Sequence, residues 1–159
     1  MKISKKKLWR VPLYCIFAGL VIFYIAVNFL GRFMLVVLSD GTIALDNTRV
    51  LIIHGSIFGL VLLIGGFFLR DMTRKEIFYS TSIIVAIGIT ANLFQWAFNL
   101  TTGLGAIFFM YTSRAFEWSN IIPQLLNRAN INPWLGAFIG SLTPYLFIPF
   151  GKRDYKSIQ

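Results

Sequence analysis

Long apolar runs separated by short polar breaks dominate the chain, and four of the runs are long enough to predict membrane-crossing helices. They cover about Val11 to Leu30, Val50 to Leu69, Ile77 to Phe98 and Trp134 to Phe150. A helix needs roughly 20 residues to cross about 30 Å of hydrocarbon, so the last run is short and calls for an earlier start or a tilt. Between the first two runs, MLVVLS and TIAL flank Asp40-Gly41. A turn dipeptide between β-branched stretches predicts a small hairpin. The segment from Asn99 to Pro133 mixes apolar pieces (AIFFMY, IIPQLL) with polar ones (TSR, NRAN) and predicts a loop or short helix lying in the interface. The fold class expected is an all-α integral membrane protein: one domain over residues 1–159, four transmembrane helices, and a small extracellular β element after the first.

Composition agrees, since 57% of the 159 residues are hydrophobic and 13% charged, outside the usage of soluble domains. The basic N-terminal tail and the apolar run behind it resemble a signal peptide. The run continues to Leu30, however, and no small-x-small site ends it, so it is read as a span. Tyr14 before Cys15 excludes a lipobox, and a lone cysteine gives no intramolecular disulfide.

Charge then sets an orientation. The net charge is +9, and eleven of the fifteen Lys and Arg lie in the N-terminal tail (Lys2, Lys5, Lys6, Lys7, Arg10), the second-to-third connection (Arg70, Arg74, Lys75) and the C-terminal tail (Lys152, Arg153, Lys156). Clustering at the ends of apolar runs argues against a nucleic-acid-binding face. By the positive-inside rule those three stretches are cytoplasmic, and an even number of spans puts both termini on that side.

This topology carries the polar residues embedded in apolar sequence to the outer leaflet. Asn28 and Arg32 close the first span, His54 lies about one turn inside the second, and Asn92, Gln95 and Trp96 end the third. Asn127 and Asn130 precede the fourth. Polar groups at such depth are costly and tend to be functional, although single amides also serve as anchors or interhelical bonds. Gly55 and Gly59, at i and i+4, predict close helix approach. His54 is the sole histidine, so neither a metal site nor a cofactor is expected.

These residues resemble the lipoprotein signal peptidase (signal peptidase II) family. NFLGRF, from Asn28 to Phe33, is similar to D-Q-x-x-K followed by an aromatic, with Arg32 at the lysine. HGSIFG is similar to N-x-G-A-A-F-G, with Gly55, Phe58 and Gly59 in place. GITANLFQW keeps the spacing of G-x-x-x-N-x-x-D-R, with Asn92 retained, Gln95 at the aspartate and Trp96 at the arginine. LNRAN is similar to F-N-x-A-D, with Asn127 and Ala129 retained and Asn130 at the aspartate; Gly136 follows at the family's spacing.

The resemblance implies a four-span aspartic peptidase of the bacterial-type cytoplasmic membrane, with a β-cradle and a catalytic aspartate pair near the outer surface. Here both dyad positions, Gln95 and Asn130, hold amides, which bind peptide but cannot activate water. The expected function is therefore a catalytically degenerate relative that binds a lipoprotein signal peptide or lipidated segment among membrane lipids. Asn28, Arg32, His54, Gly55, Asn92, Trp96 and Asn127 would contact it. Two alternatives stand beside this: an active peptidase using Asp40, Asp46 or Glu117 as displaced carboxylates, and a non-enzymatic structural or immunity-type membrane subunit.

Overall fold

A computed structural model of the protein describes residues 5–98 and 103–153. Lys2, Asp154, Lys156 and residues 99–102, which open the segment predicted to lie in the interface, are outside the described residues. Helices α1 (Lys5–Leu8) and α2 (Arg10–Ile25) continue through a π-helical turn (Ala26–Leu30) and a 3-10 turn (Gly31–Met34) into a hairpin of β1 (Leu35–Val37) and β2 (Ile43–Leu45). There follow α3 (Asn47–Leu69), α4 (Arg74–Phe98), α5 (Gly103–Ser113), a 3-10 segment (Arg114–Ser119), α6 (Ile121–Arg128), α7 (Pro133–Ser141) and a final 3-10 segment (Thr143–Phe150).

Among the described residues three helical stretches are long and apolar enough to cross a membrane: Lys6–Met34, Asn47–Leu69 and Arg74–Phe98. Only 22% of the most apolar window in each of the first two is buried against protein. Most of their apolar surface therefore faces outward, as suits a helix whose neighbour is lipid.

The fourth predicted span is helical but divided. Pro144 has no N–H to return to the Gly140 carbonyl, so the α-helical ladder cannot continue. The Thr143 hydroxyl donates to that carbonyl instead, at 2.5 Å, and the chain goes on as 3-10 turns to Phe150.

The hairpin forms where Asp40-Gly41 predicts it. Leu35 pairs with Leu45 and Val37 with Ile43 in antiparallel register. Gly41 takes φ +82°, a conformation costly for residues with a side chain. The Asp40 carboxylate accepts from Thr42 N and Oγ1 at 2.9 and 2.7 Å, and the Thr42 hydroxyl holds it below the usual carboxylate range. Asp46 then caps α3, accepting from Thr48 N and Arg49 N at 2.9 and 3.1 Å.

At one end of the bundle, three basic stretches come together. Thr73 and Glu76 form a reciprocal capping box at the start of α4, Glu76 Oε2 accepting from Thr73 N at 2.9 Å and Thr73 Oγ1 from Glu76 N at 3.2 Å. Lys7 Nζ donates to both Glu76 oxygens at 2.9 and 3.0 Å. Arg10 binds Asp71 at 2.7 Å, and that hydrogen bond keeps the Asp71 carboxyl below its ordinary range. Lys152 N donates to Met72 O, and Arg74 N to Lys152 O. Behind this end lies a core of Val11, Cys15, Leu69, Ile77, Ile84 and Phe147.

Close approach uses glycines other than the expected pair. A Cβ on Gly55 or Gly59 would meet nothing within 4 Å. On Gly19 it would overlap the Arg114 carbonyl and the Ala115 backbone, so this glycine admits the 114–119 segment against α2.

Candidate functional site

The segment between α4 and α7 is packed into the bundle, where the sequence predicts an interfacial loop or short helix. Gly103, at φ +69°, turns the chain into α5. The 3-10 turn after α5 lodges its side chains among the long helices. Trp118 is 1% exposed and stacks on Phe58 at 5.9 Å and against Phe147 at 5.5 Å. Phe58 is the midpoint of α3, and the Phe116 ring lies against Gly88, in the interior of α4. The 114–119 turn between α5 and α6 thus sits beside the midpoint of α3 and the interior of α4.

The turn carries an ion pair to that depth. Arg114 Nη1 lies 3.2 Å from Glu117 Oε2, the side chains being 23% and 17% exposed. The Arg114 guanidinium also lies 3.6 Å over the Phe23 ring of α2, an arrangement that attracts a cation to the ring face. Charges so placed need partners, because an unpaired one in hydrocarbon is expensive.

A cavity of about 280 Å³ opens between this turn, α4, α5 and α7. Its polar lining includes Asn92, Ser113, Glu117, Ser119, Asn120 and Ser141. Asn92 is buried and donates its amide hydrogens to Ala137 O at 3.3 Å and Ser141 Oγ at 2.8 Å. A second cavity, about 490 Å³, lies between α4 and α5, with Ile87, Phe94, Gln95 and Gly105 in its mostly apolar wall. Ala91, Phe109 and Thr112 line both, so the two spaces adjoin.

Of the residues singled out by sequence, Asn92, Gln95 and Glu117 come to these adjoining cavities. Neither cavity is lined by Asn28, Arg32, His54, Gly55, Trp96, Asn127 or Asn130. Asn28 is exposed on the π-helical turn and donates to Tyr24 O at 2.8 Å. Arg32 is exposed, 5.1 Å over the Phe33 ring. His54 is buried with Nδ1 2.9 Å from Val50 O; a carbonyl only accepts, so Nδ1 carries a hydrogen. Trp96 is 60% exposed.

Asn130 has a backbone task. It ends α6 at φ 55°, with Ile131 N donating to Leu126 O and Asn130 N to Asn127 O, both at 3.0 Å. That pair of bonds is a Schellman cap, whose left-handed residue is usually glycine or asparagine. Asn132 then caps α7, its Oδ1 accepting from Trp134 N at 2.9 Å. Of the three acids considered as displaced carboxylates, Asp40 closes the hairpin, Asp46 caps a helix, and Glu117 lines the polar cavity.

The site residues that sequence reading missed are Ser113, Ser119, Asn120 and Ser141. Ser141 follows Ala137 by one helical turn and Asn92 bonds to both, so a polar residue inside the apolar run GAFIGSL was the available signal. Among the described residues no three His, Cys, Asp or Glu side chains gather to hold a metal ion. No protein-family model, characterised protein or solved structure matches this chain.

Proposed function

We propose that the protein is a signal peptidase II-like membrane protein that receives a lipidated peptide segment from the outer leaflet and does not cleave it. In this reading the chain crosses the membrane four times with its basic stretches in the cytoplasm. The contacts that gather Lys7, Arg10, Asp71, Glu76 and Lys152 at one end support a shared side for both termini. The length of the last segment fits a crossing too. Nine α-helical residues and eight 3-10 residues rise about 1.5 and 2.0 Å each, together about 30 Å. Helix α5, with eleven residues, would span about half that thickness before the 114–119 turn.

The observation that carries the reading is the adjoining pair of cavities, one polar and one apolar, which suits a ligand with a head and a chain. Glu117 is the one carboxylate among their lining residues. Aspartic catalysis divides base and acid between two carboxyls, and one cannot hold both roles at once.

The test is to add a diacylglyceryl-modified prolipoprotein peptide to the detergent-purified protein. A ligand at 100 times its Kd should stabilise the fold by about 2.7 kcal/mol and raise the unfolding temperature, with the peptide recovered intact. Absence of any shift would leave the polar residues as helix-packing groups, the structural-subunit reading. Prompt cleavage at the modified cysteine would overturn the proposal in favour of a peptidase using a displaced acid. Glu117 beside Asn92 is the feature favouring that second reading, which requires Glu117→Gln to abolish the cleavage.

A further inference from the structure

The hydrogens of the polar cavity are largely committed to the protein, while many of its lone pairs are not. Ser113, Ser119 and Ser141 each own one hydroxyl hydrogen, donated to Met110 O at 2.8 Å, Phe116 O at 2.9 Å and Ala137 O at 3.1 Å respectively. Asn92 directs its amide to Ala137 O and Ser141 Oγ, which leaves its carbonyl oxygen as an acceptor. Glu117 is acceptor-only when ionised, and its bond to Arg114 uses Oε2. No Lys, Arg or His lines either cavity, and Arg114 itself is drawn to the Phe23 ring. Asn120 is the lining residue whose amide hydrogens have no such commitment.

A wall rich in acceptors and bearing one carboxylate selects a donor with positive charge. The adjoining apolar cavity selects a chain. Bringing an acyl chain from lipid into that cavity gains no hydrophobic free energy, since both surroundings are hydrocarbon. Discrimination among ligands must then come from the polar half. We infer that the site recognises a primary ammonium group attached close to acyl chains, which shares Glu117 with Arg114 through the second carboxylate oxygen and takes Asn92 Oδ1 and the serine oxygens as further acceptors. This narrows the proposed function to a lipidated peptide that already ends at its modified cysteine, since an internal cysteine has no free α-amine, and it rests on that reading only where the ammonium belongs to a peptide. The same chemistry has two sources, the free α-amine of a lipidated N-terminal cysteine and the head group of phosphatidylethanolamine.

Four ligands with matched chains separate the cases when binding to the intact protein is followed by thermal shift and native mass spectrometry. They are a diacylglyceryl-cysteine peptide with a free α-amine, the same peptide N-acetylated, phosphatidylethanolamine and phosphatidylglycerol. The expected result is at least tenfold tighter binding of one or both ammonium ligands than of its neutral or anionic counterpart. Glu117→Gln should collapse that preference to less than threefold, and Glu117→Asp, which keeps the charge on a shorter stem, should retain part of it. A preference confined to phosphatidylethanolamine would support the ammonium site while ending the peptide reading. Equal binding of the free and acetylated peptides, with the two phospholipids also equal, would overturn the inference while leaving peptide binding intact. A full shift produced by sodium or potassium chloride alone, without any amphiphile, would overturn it as well.

Discussion

The basic end of the bundle and its polar cavity use similar polar residues for opposite purposes. At the basic end they are consumed by one another: Lys7 and Thr73 by Glu76, Arg10 by Asp71, and Ser80 by the Leu8 carbonyl and the Val11 amide. Around the polar cavity, Asn92 and three serines commit their hydrogens and leave acceptor positions open to the interior. The first arrangement fixes how the chain segments meet. The second prepares a wall that a ligand can complete, which is where binding specificity arises when neighbouring polar groups are held in place beforehand.

The largest effect should come at the seam between the two regions, where Gly19 lets the 114–119 turn press on α2. A methyl there meets backbone rather than a movable side chain, so the cost should reach or exceed the top of the range of about 1–3 kcal/mol usual for overpacking. Gly19→Ala should therefore destabilise the protein by that amount in detergent-micelle unfolding and loosen the Arg114–Glu117 pair. The same substitution at Gly59, which faces open space, should gain about 0.5–1 kcal/mol by helix propensity. Equal outcomes at the two glycines would mean that the turn is not seated in the bundle.

That contrast also explains what could be read in advance. The three long helices and the hairpin follow from local pattern, since an apolar run or an Asp-Gly between β-branched residues acts on its own neighbours. The fourth helix was legible as an apolar run, but its division depends on one missing N–H, at Pro144. Burial of Trp118 has no local signature, because it depends on Gly19, Phe58 and Phe147, which lie far away in sequence. Asn92 was found because it is an amide in an apolar run. Ser119 and Ser141 are small enough to pass as packing residues, and only the folded chain brings them beside Glu117.

The next effect belongs to the basic end. Glu76 is 8% exposed and joins a cap to an ion pair, so Glu76→Ala removes the bond to Thr73 N and leaves Lys7 without its carboxylate. Hydrogen bonds to charged groups contribute about 1.5–3 kcal/mol, and a loss of that order should appear as earlier thermal unfolding. Asn28→Ala at the other end removes one exposed bond to a neighbouring carbonyl and should stay within about 0.5 kcal/mol. A comparable loss at both positions would erase the distinction between the ends.

The smallest effect is the most discriminating for the resemblance that LNRAN carries. If Asn130 serves the α6 cap, its φ of 55° decides the outcome. Asn130→Gly should then be neutral or slightly stabilising, whereas Asn130→Ala should cost about 1 kcal/mol for holding a side chain in the left-handed region. Asn130→Asp keeps the geometry but sets a negative charge at a helix C-terminus, an unfavourable place costing about 0.3–1 kcal/mol. Combined with Gln95→Asp, it should produce no cleavage of a diacylglyceryl-modified peptide, because Gln95 lines the apolar cavity and Asn130 lines neither of the two. Cleavage by the double variant would show that the amides stand in a dormant catalytic pair, and would move the functional centre from the Glu117 cavity to the helix ends above it.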